Sequence, residues 1–135
     1  MKSIFYVTLL FLSSVLSAQT VDSLELKNSS GEDFVRLMKT YKQPVLVHLK
    51  AEWCLVCKKE IPQLLALKNK YGNELVIREV DLDANPLIGH YFEIDALPVY
   101  LLYYQGEIVW NKVGRLDIAY LEEVLAVLKK KQSKK

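Results

Sequence analysis

Cysteine is almost missing from this sequence. Cys54 and Cys57 are the only two, three positions apart, and no second pair exists to complete a zinc site of the usual kind. The two histidines, His48 and His90, lack the usual ligand spacing and do not supply the missing half. Methionine is as scarce: Met1 and Met38 form no cluster of soft ligands. No repeat and no proline-rich linker is visible, so the 135 residues, about half of them hydrophobic, are expected to form one domain. No apolar run reaches the ~20 residues a membrane span needs. Charge of one sign is also lacking. The net charge of +2 gives no reason to expect a nucleic-acid partner.

The ends of the chain differ from its body. Lys2, the apolar stretch Ile4 to Leu16 and the small residues Ser17 and Ala18 follow the pattern of a secretory signal peptide. Residues 1–18 are therefore expected to be removed, leaving Gln19 first and an exported protein, periplasmic or extracellular. No cysteine follows Ala18, which excludes a lipid-modified N-terminal cysteine. The other end carries Lys129, Lys130, Lys131, Lys134 and Lys135, a basic tail expected over residues 129–135. Setting these five and Lys2 aside leaves 12 basic against 16 acidic residues, so the body is mildly acidic. The tail favours a helix C-terminus, and attraction to anionic lipid or an acidic partner is the other reading.

Residues 19–128 read as alternating elements. Ser30 and Asp33 mark a helix start, and Phe34, Leu37, Met38 and Tyr41 follow at helical spacing. Gln43-Pro44 ends that helix, and Val45 to Leu49 is a strand of the buried type. Cys54 to Tyr71 reads as a long helix with Ile61, Leu64, Leu65 and Leu67 on its apolar side and Pro62 inside it. Leu75 to Leu82 is a second strand, and Asn85-Pro86 opens a short helix to Tyr91. Strands Pro98 to Tyr104 and Glu107 to Lys112 are joined by Gln105-Gly106, a hairpin signal. Asp117 caps a final helix carrying Ile118, Leu121, Val124, Leu125 and Leu128. After an ambiguous stretch at 21–28 the order is α-β-α-β-α-β-β-α. That order implies an α/β fold with a mixed central sheet and helices on both faces.

The cysteines fall at a strand-to-helix junction, in Trp53-Cys54-Leu55-Val56-Cys57-Lys58. Thiol–disulfide exchange needs that arrangement. A thiol at a helix N-terminus meets unpaired N–H groups and the positive end of the macrodipole, which favour the attacking thiolate. A second thiol one turn on resolves the mixed disulfide. A bridge closing so small a loop removes little chain entropy, so the pair makes a poor structural staple.

The chain resembles the thioredoxin family over most of its mature length. The resemblance rests on Pro44-Val45-Leu46-Val47, Ala51-Glu52-Trp53-Cys54, Cys57-Lys58 and Pro62. It continues through Val80-Asp81-Leu82-Asp83-Ala84-Asn85-Pro86, Leu97-Pro98, Gly106-Glu107 and Val113-Gly114. It implies the thioredoxin fold and a disulfide oxidoreductase that uses its own Cys54–Cys57 couple, with no metal and no other cofactor. It implies Cys54 as nucleophile, Cys57 as resolving thiol and Trp53 over the active-site rim. Pro98 would be the family's cis-proline, leaving the Leu97 backbone to pair with an extended substrate segment. Read without the family, Pro98 is an ordinary trans proline opening an edge strand.

Three departures stand out. Leu55-Val56 replaces the family's Gly-Pro between the cysteines, a change that tunes the potential and makes the rim more apolar. The motif is similar to the C-terminal domains of transmembrane disulfide reductases, which points toward a reducing or relay role. His48 stands where the family has a buried aspartate, and Glu79 where it has a lysine. His48 would then take the proton from Cys57, with Glu79 orienting the imidazole; a core histidine without a kinetic role is the alternative. Val99 follows Pro98 where threonine is common, and with Leu97, Trp53 and Leu55 it would form an apolar patch, unless it faces the core. Tyr91, Tyr100, Tyr103 and Tyr104 suggest strand propensity rather than a site, and His90 a surface residue.

The expected partners are protein disulfides and a membrane-bound or exported electron donor, with the chain a monomer. A non-catalytic thioredoxin-fold chaperone and a copper-type metallochaperone are the readings from other classes.

Overall fold

The computed structural model describes residues 20–24, 26 and 29–134. The expected signal peptide and Lys135 lie outside the described residues. Among the described residues five strands and four α-helices follow in the order β1 (Asp22–Ser23), α1 (Gly31–Met38), β2 (Val45–Lys50), α2 (Leu55–Tyr71), β3 (Val76–Asp81), α3 (Pro86–Tyr91), β4 (Val99–Tyr104), β5 (Glu107–Val113) and α4 (Ile118–Gln132). The strands form one sheet in the order β1-β3-β2-β4-β5. β1, β3 and β2 run parallel, while β4 is antiparallel to both β2 and β5.

Local chemistry fixes the boundaries. The Ser30 hydroxyl accepts from the Asp33 N–H at 3.1 Å and the Asp33 carboxylate accepts from the Ser30 N–H at 3.3 Å. This reciprocal pair satisfies two orphan donors at the start of α1. Asp117 accepts from the Tyr120 N–H at 3.1 Å and starts α4 in the same way. α4 runs on through Lys129–Lys131, so the first lysines of the basic end are helical. Gln105 and Gly106 have φ of 53° and 81°, the left-handed pair that a two-residue hairpin between twisted strands requires.

β1 is the element that the sequence did not reveal. It has two residues and no alternation to detect. Arg78 donates to the Asp22 carboxylate at 2.9 Å, and the Leu24 N–H donates to the Glu79 carbonyl at 2.8 Å. Tertiary pairing holds this segment at the sheet edge.

The sheet has two unlike faces. One buries Val45, Val47, Leu49, Val80, Val99 and Leu101 with Phe34 and Met38 of α1 and Ile88 of α3. The other buries Leu46, Ile77, Tyr100 and Leu102 with Leu64 and Leu67 of α2 and Leu121 and Leu125 of α4. Central β2 is covered on both sides, which explains its near-continuous hydrophobic run. His48 breaks that run on the face that α2 and α4 cover.

Candidate active site

Strand β2 ends at Lys50, and after three intervening residues the chain reaches Cys54, from which α2 starts. Cys54 is the N-cap of α2, with φ −77° and ψ 99°, and its Sγ accepts from the Cys57 N–H at 3.2 Å. Cys54 and Cys57 are joined as a disulfide with their Cα atoms 5.3 Å apart. The first turn of α2 carries no acidic residue to oppose a thiolate at its N-terminus. Cys57 is the more enclosed of the two, 1% exposed against 5%.

The antiparallel pairing of Leu49 with Val99 puts the start of β4 at the same end of the sheet as the cysteines. There the Leu97–Pro98 peptide bond is cis, and the Pro98 carbonyl accepts from the Gly114 N–H at 2.8 Å. The Leu97 side chain is half-buried against the α1–α3 face. Trp53 and Leu55 are 68% and 71% exposed, and Val56 and Val113 are exposed as well. Val99 does not join this rim. It is buried on the α1–α3 face, so the expected patch loses Val99, while Val113, its cross-strand partner, lies in the open.

Beneath α2 lies a polar group in an otherwise apolar layer. His48 is fully buried; it pairs in register with Glu79 on one side and Tyr100 on the other. Its Nδ1 lies 3.0 Å from Glu79 Oε1. With Glu79 ionised and the imidazole neutral, Nδ1 carries the proton and donates to it, and Nε2 presents a lone pair. Nε2 has no hydrogen-bond partner among the described residues. The Tyr100 ring stacks on the imidazole, with centroids 4.8 Å apart and planes 9° from parallel.

Two members of this group escaped the sequence reading. Glu60 is buried on α2, where its Oε2 accepts from the Leu116 N–H at 2.8 Å and its Oε1 from Arg115 Nε at 3.4 Å. Its position was the available signal: it stands three residues after Cys57 and four before Leu64, on the helix's buried stripe. Tyr100 reads as an ordinary strand tyrosine until the register puts it beside His48. Burial pushes the Tyr100 phenol well above its ordinary range, and the Glu60 and Glu79 carboxylates add to the shift. His90 is exposed and takes no part. Among the described residues no group of three or more metal-binding side chains occurs.

A family model for thioredoxin matches residues 25–127. The chain belongs to the thioredoxin family. Over 102 residues it is 36% identical to "Thioredoxin X, chloroplastic" of Arabidopsis thaliana, a match covering 74% of this chain and 56% of that protein's length. It is 34% identical over 84 residues to a thioredoxin of Buchnera aphidicola subsp. Baizongia pistaciae (strain Bp), covering 62% of this chain and 77% of the relative. The fold also matches that of mitochondrial thioredoxin 3 of Saccharomyces cerevisiae in its oxidised form. There the TM-score is 0.64 at 23% identity, covering 77% of this chain and 92% of the other. Thioredoxins are disulfide oxidoreductases that act on protein disulfides through their own cysteine pair, without a cofactor. With Cys54–Cys57 in that position, this member is a thiol–disulfide oxidoreductase.

Proposed function

We propose that the protein works in the reducing direction on disulfides of exported proteins, as a monomer recharged by a membrane-bound or exported electron donor. The observation that carries the direction is the sparse support for a thiolate at Cys54 beyond its place at the helix N-terminus. Among the described residues its Sγ has one hydrogen bond, from the Cys57 N–H, and the following Lys58 is paired with Glu52 at 3.7 Å. A pair whose reduced form gains little stabilisation holds its disulfide firmly and is a good reductant when reduced. Export rests on the pattern of residues 1–18; a mature N-terminus at Gln19 in protein recovered from the cell envelope supports it, and an intact Met1 overturns it.

The reaction begins with the reduced pair. The Cys54 thiolate attacks one sulfur of a substrate disulfide; an S–S bond to Cys54 forms and one substrate thiolate leaves. Trp53 and the Leu97–Pro98 backbone line the site where the substrate chain lies. Cys57 then loses its proton to His48 Nε2, and the imidazole becomes an imidazolium facing Glu79. The Cys57 thiolate attacks Cys54 Sγ, the Cys54–Cys57 bond forms and the second substrate thiolate leaves. Two electrons pass to the substrate; one of its thiolates takes the proton from the His48 imidazolium, which returns to the neutral base, and the other takes from solvent the proton that Cys54 had released.

The base assignment has a direct test. Load Cys54 with a chromogenic aromatic thiol as a mixed disulfide and follow its release by Cys57 as a function of pH. His48→Gln is expected to slow release near neutrality by about a hundredfold. The difference should close at alkaline pH, where Cys57 ionises unaided. Equal rates in both proteins across that range would remove His48 from the mechanism.

A further inference from the structure

We infer that Tyr100 is a positioning residue for the resolving step, acting through His48; this rests on the reading of His48 as the base. The inference starts from what surrounds the imidazole. β3 contributes the Glu79 carboxylate at Nδ1 and β4 contributes the face of the Tyr100 ring. α2 covers this layer with Cys57 and Glu60 on its buried stripe. No cation from these elements pairs with His48 among the described residues.

A near-parallel stack with centroids 4.8 Å apart does two things. It fixes the plane of the imidazole, and with Glu79 holding Nδ1 it thereby fixes the direction of Nε2. It also presents a negative π face to a ring that becomes positive when it accepts a proton. An aromatic face stabilises an adjacent cation. A stacked aromatic therefore favours the imidazolium, the form that exists just after Cys57 has been deprotonated. The Tyr100 hydroxyl is buried without a hydrogen-bond partner among the described residues, so the contact with His48 is made by the ring alone. The chain thus holds His48 from one side by the Glu79 carboxylate and from the other by a ring.

The role belongs to the ring and not to the hydroxyl, and that separation makes it testable. Tyr100→Phe keeps the stack; Tyr100→Leu removes it while keeping the site apolar. A third variant, pentafluorophenylalanine at position 100, keeps the shape of the Phe ring and reverses the polarity of its face. Each is read by the NMR titration of His48, one of two histidines in the chain, and by the release rate of the mixed disulfide from Cys54 against pH. Tyr100→Phe is expected to titrate like the parent. Tyr100→Leu and the fluorinated ring are expected to lower the His48 midpoint by about half a pH unit. Both should also slow release near neutral pH. An unchanged midpoint in the fluorinated protein, or one that moves as far in Tyr100→Phe as in Tyr100→Leu, overturns the role of the ring. The base reading fails separately: it falls if His48→Gln resolves at the parental rate, whatever Tyr100 does to the titration.

Discussion

The two faces of the central sheet are built from the same strands and do different work. On the side of α1 and α3, β2 shows Val45, Val47 and Leu49, all buried among aliphatic and aromatic neighbours. On the side of α2 and α4 it shows Leu46 and then His48, where the layer turns polar toward the cysteines. Polar groups in a buried layer cost stability unless each is paired. Here His48 is paired with Glu79, and Glu60 with the Leu116 N–H and Arg115. One face is therefore spent on holding the fold together. The other accepts a stability cost at one end, where we have proposed a proton transfer, and recovers an apolar layer beyond it.

The comparison can be broken most sharply at the cysteines. Cys54→Ser is expected to abolish disulfide turnover while thermal unfolding changes little, because the bridge closes a short loop. Retained turnover would move the chemistry elsewhere. The next effect is on the buried pair. His48→Leu alone leaves the Glu79 carboxylate without its partner and should cost about 3–5 kcal/mol in denaturant unfolding. Adding Glu79→Leu should return stability to near the parental value, since an apolar pair of similar volume replaces the buried histidine–carboxylate pair. A double variant as unstable as the single one would mean that the polar layer is structural after all. On the opposite face, Leu49→Ala should cost about 2–5 kcal/mol with the pH profile of resolution unchanged.

A smaller effect separates the faces by pH. Burial raises the pKa of both Tyr100, on the polar face, and Tyr103, on the apolar one. A phenol raised in the folded state adds stability that is fully present below its unfolded pKa, about 10. That stability is lost as pH rises toward the folded value. Unfolding by base should therefore begin above about pH 10. Tyr103→Phe, measured by chemical denaturation against pH, should flatten the alkaline loss, and an unaltered slope would assign that loss to other groups. The smallest effect lies at the start of α1. Ser30→Ala removes half of the α1 cap and should cost about 1 kcal/mol.

Most of this architecture is legible in the sequence, because periodic and punctuated segments carry their own instructions. Ser30 with Asp33, Asp117, Gln105-Gly106 and the run at Val45 each specify a local structure that tertiary contacts leave intact. Cys54 and Cys57 are legible for the same reason: their chemistry needs a helix start, and one follows. β1 was not legible, since two residues have no period and Asp22 and Leu24 find their partners in elements distant in sequence, β3 and α2. Glu60 and Tyr100 were missed for a related reason. A glutamate on a helix and a tyrosine in a strand are ordinary until the fold brings them together. The sequence leaves Val99 between the rim and the core because it stands beside Pro98; strand alternation turns it into the core.

The reduction potential of the Cys54–Cys57 couple bears most directly on the proposal of a reductant. Equilibrate the mature protein with dithiol buffers of defined potential and count alkylated thiols. The expected result is one two-electron transition near about −250 mV or lower, as for a pair that reduces its substrates. A transition near about −120 to −180 mV would contradict it and make the protein an oxidant or isomerase.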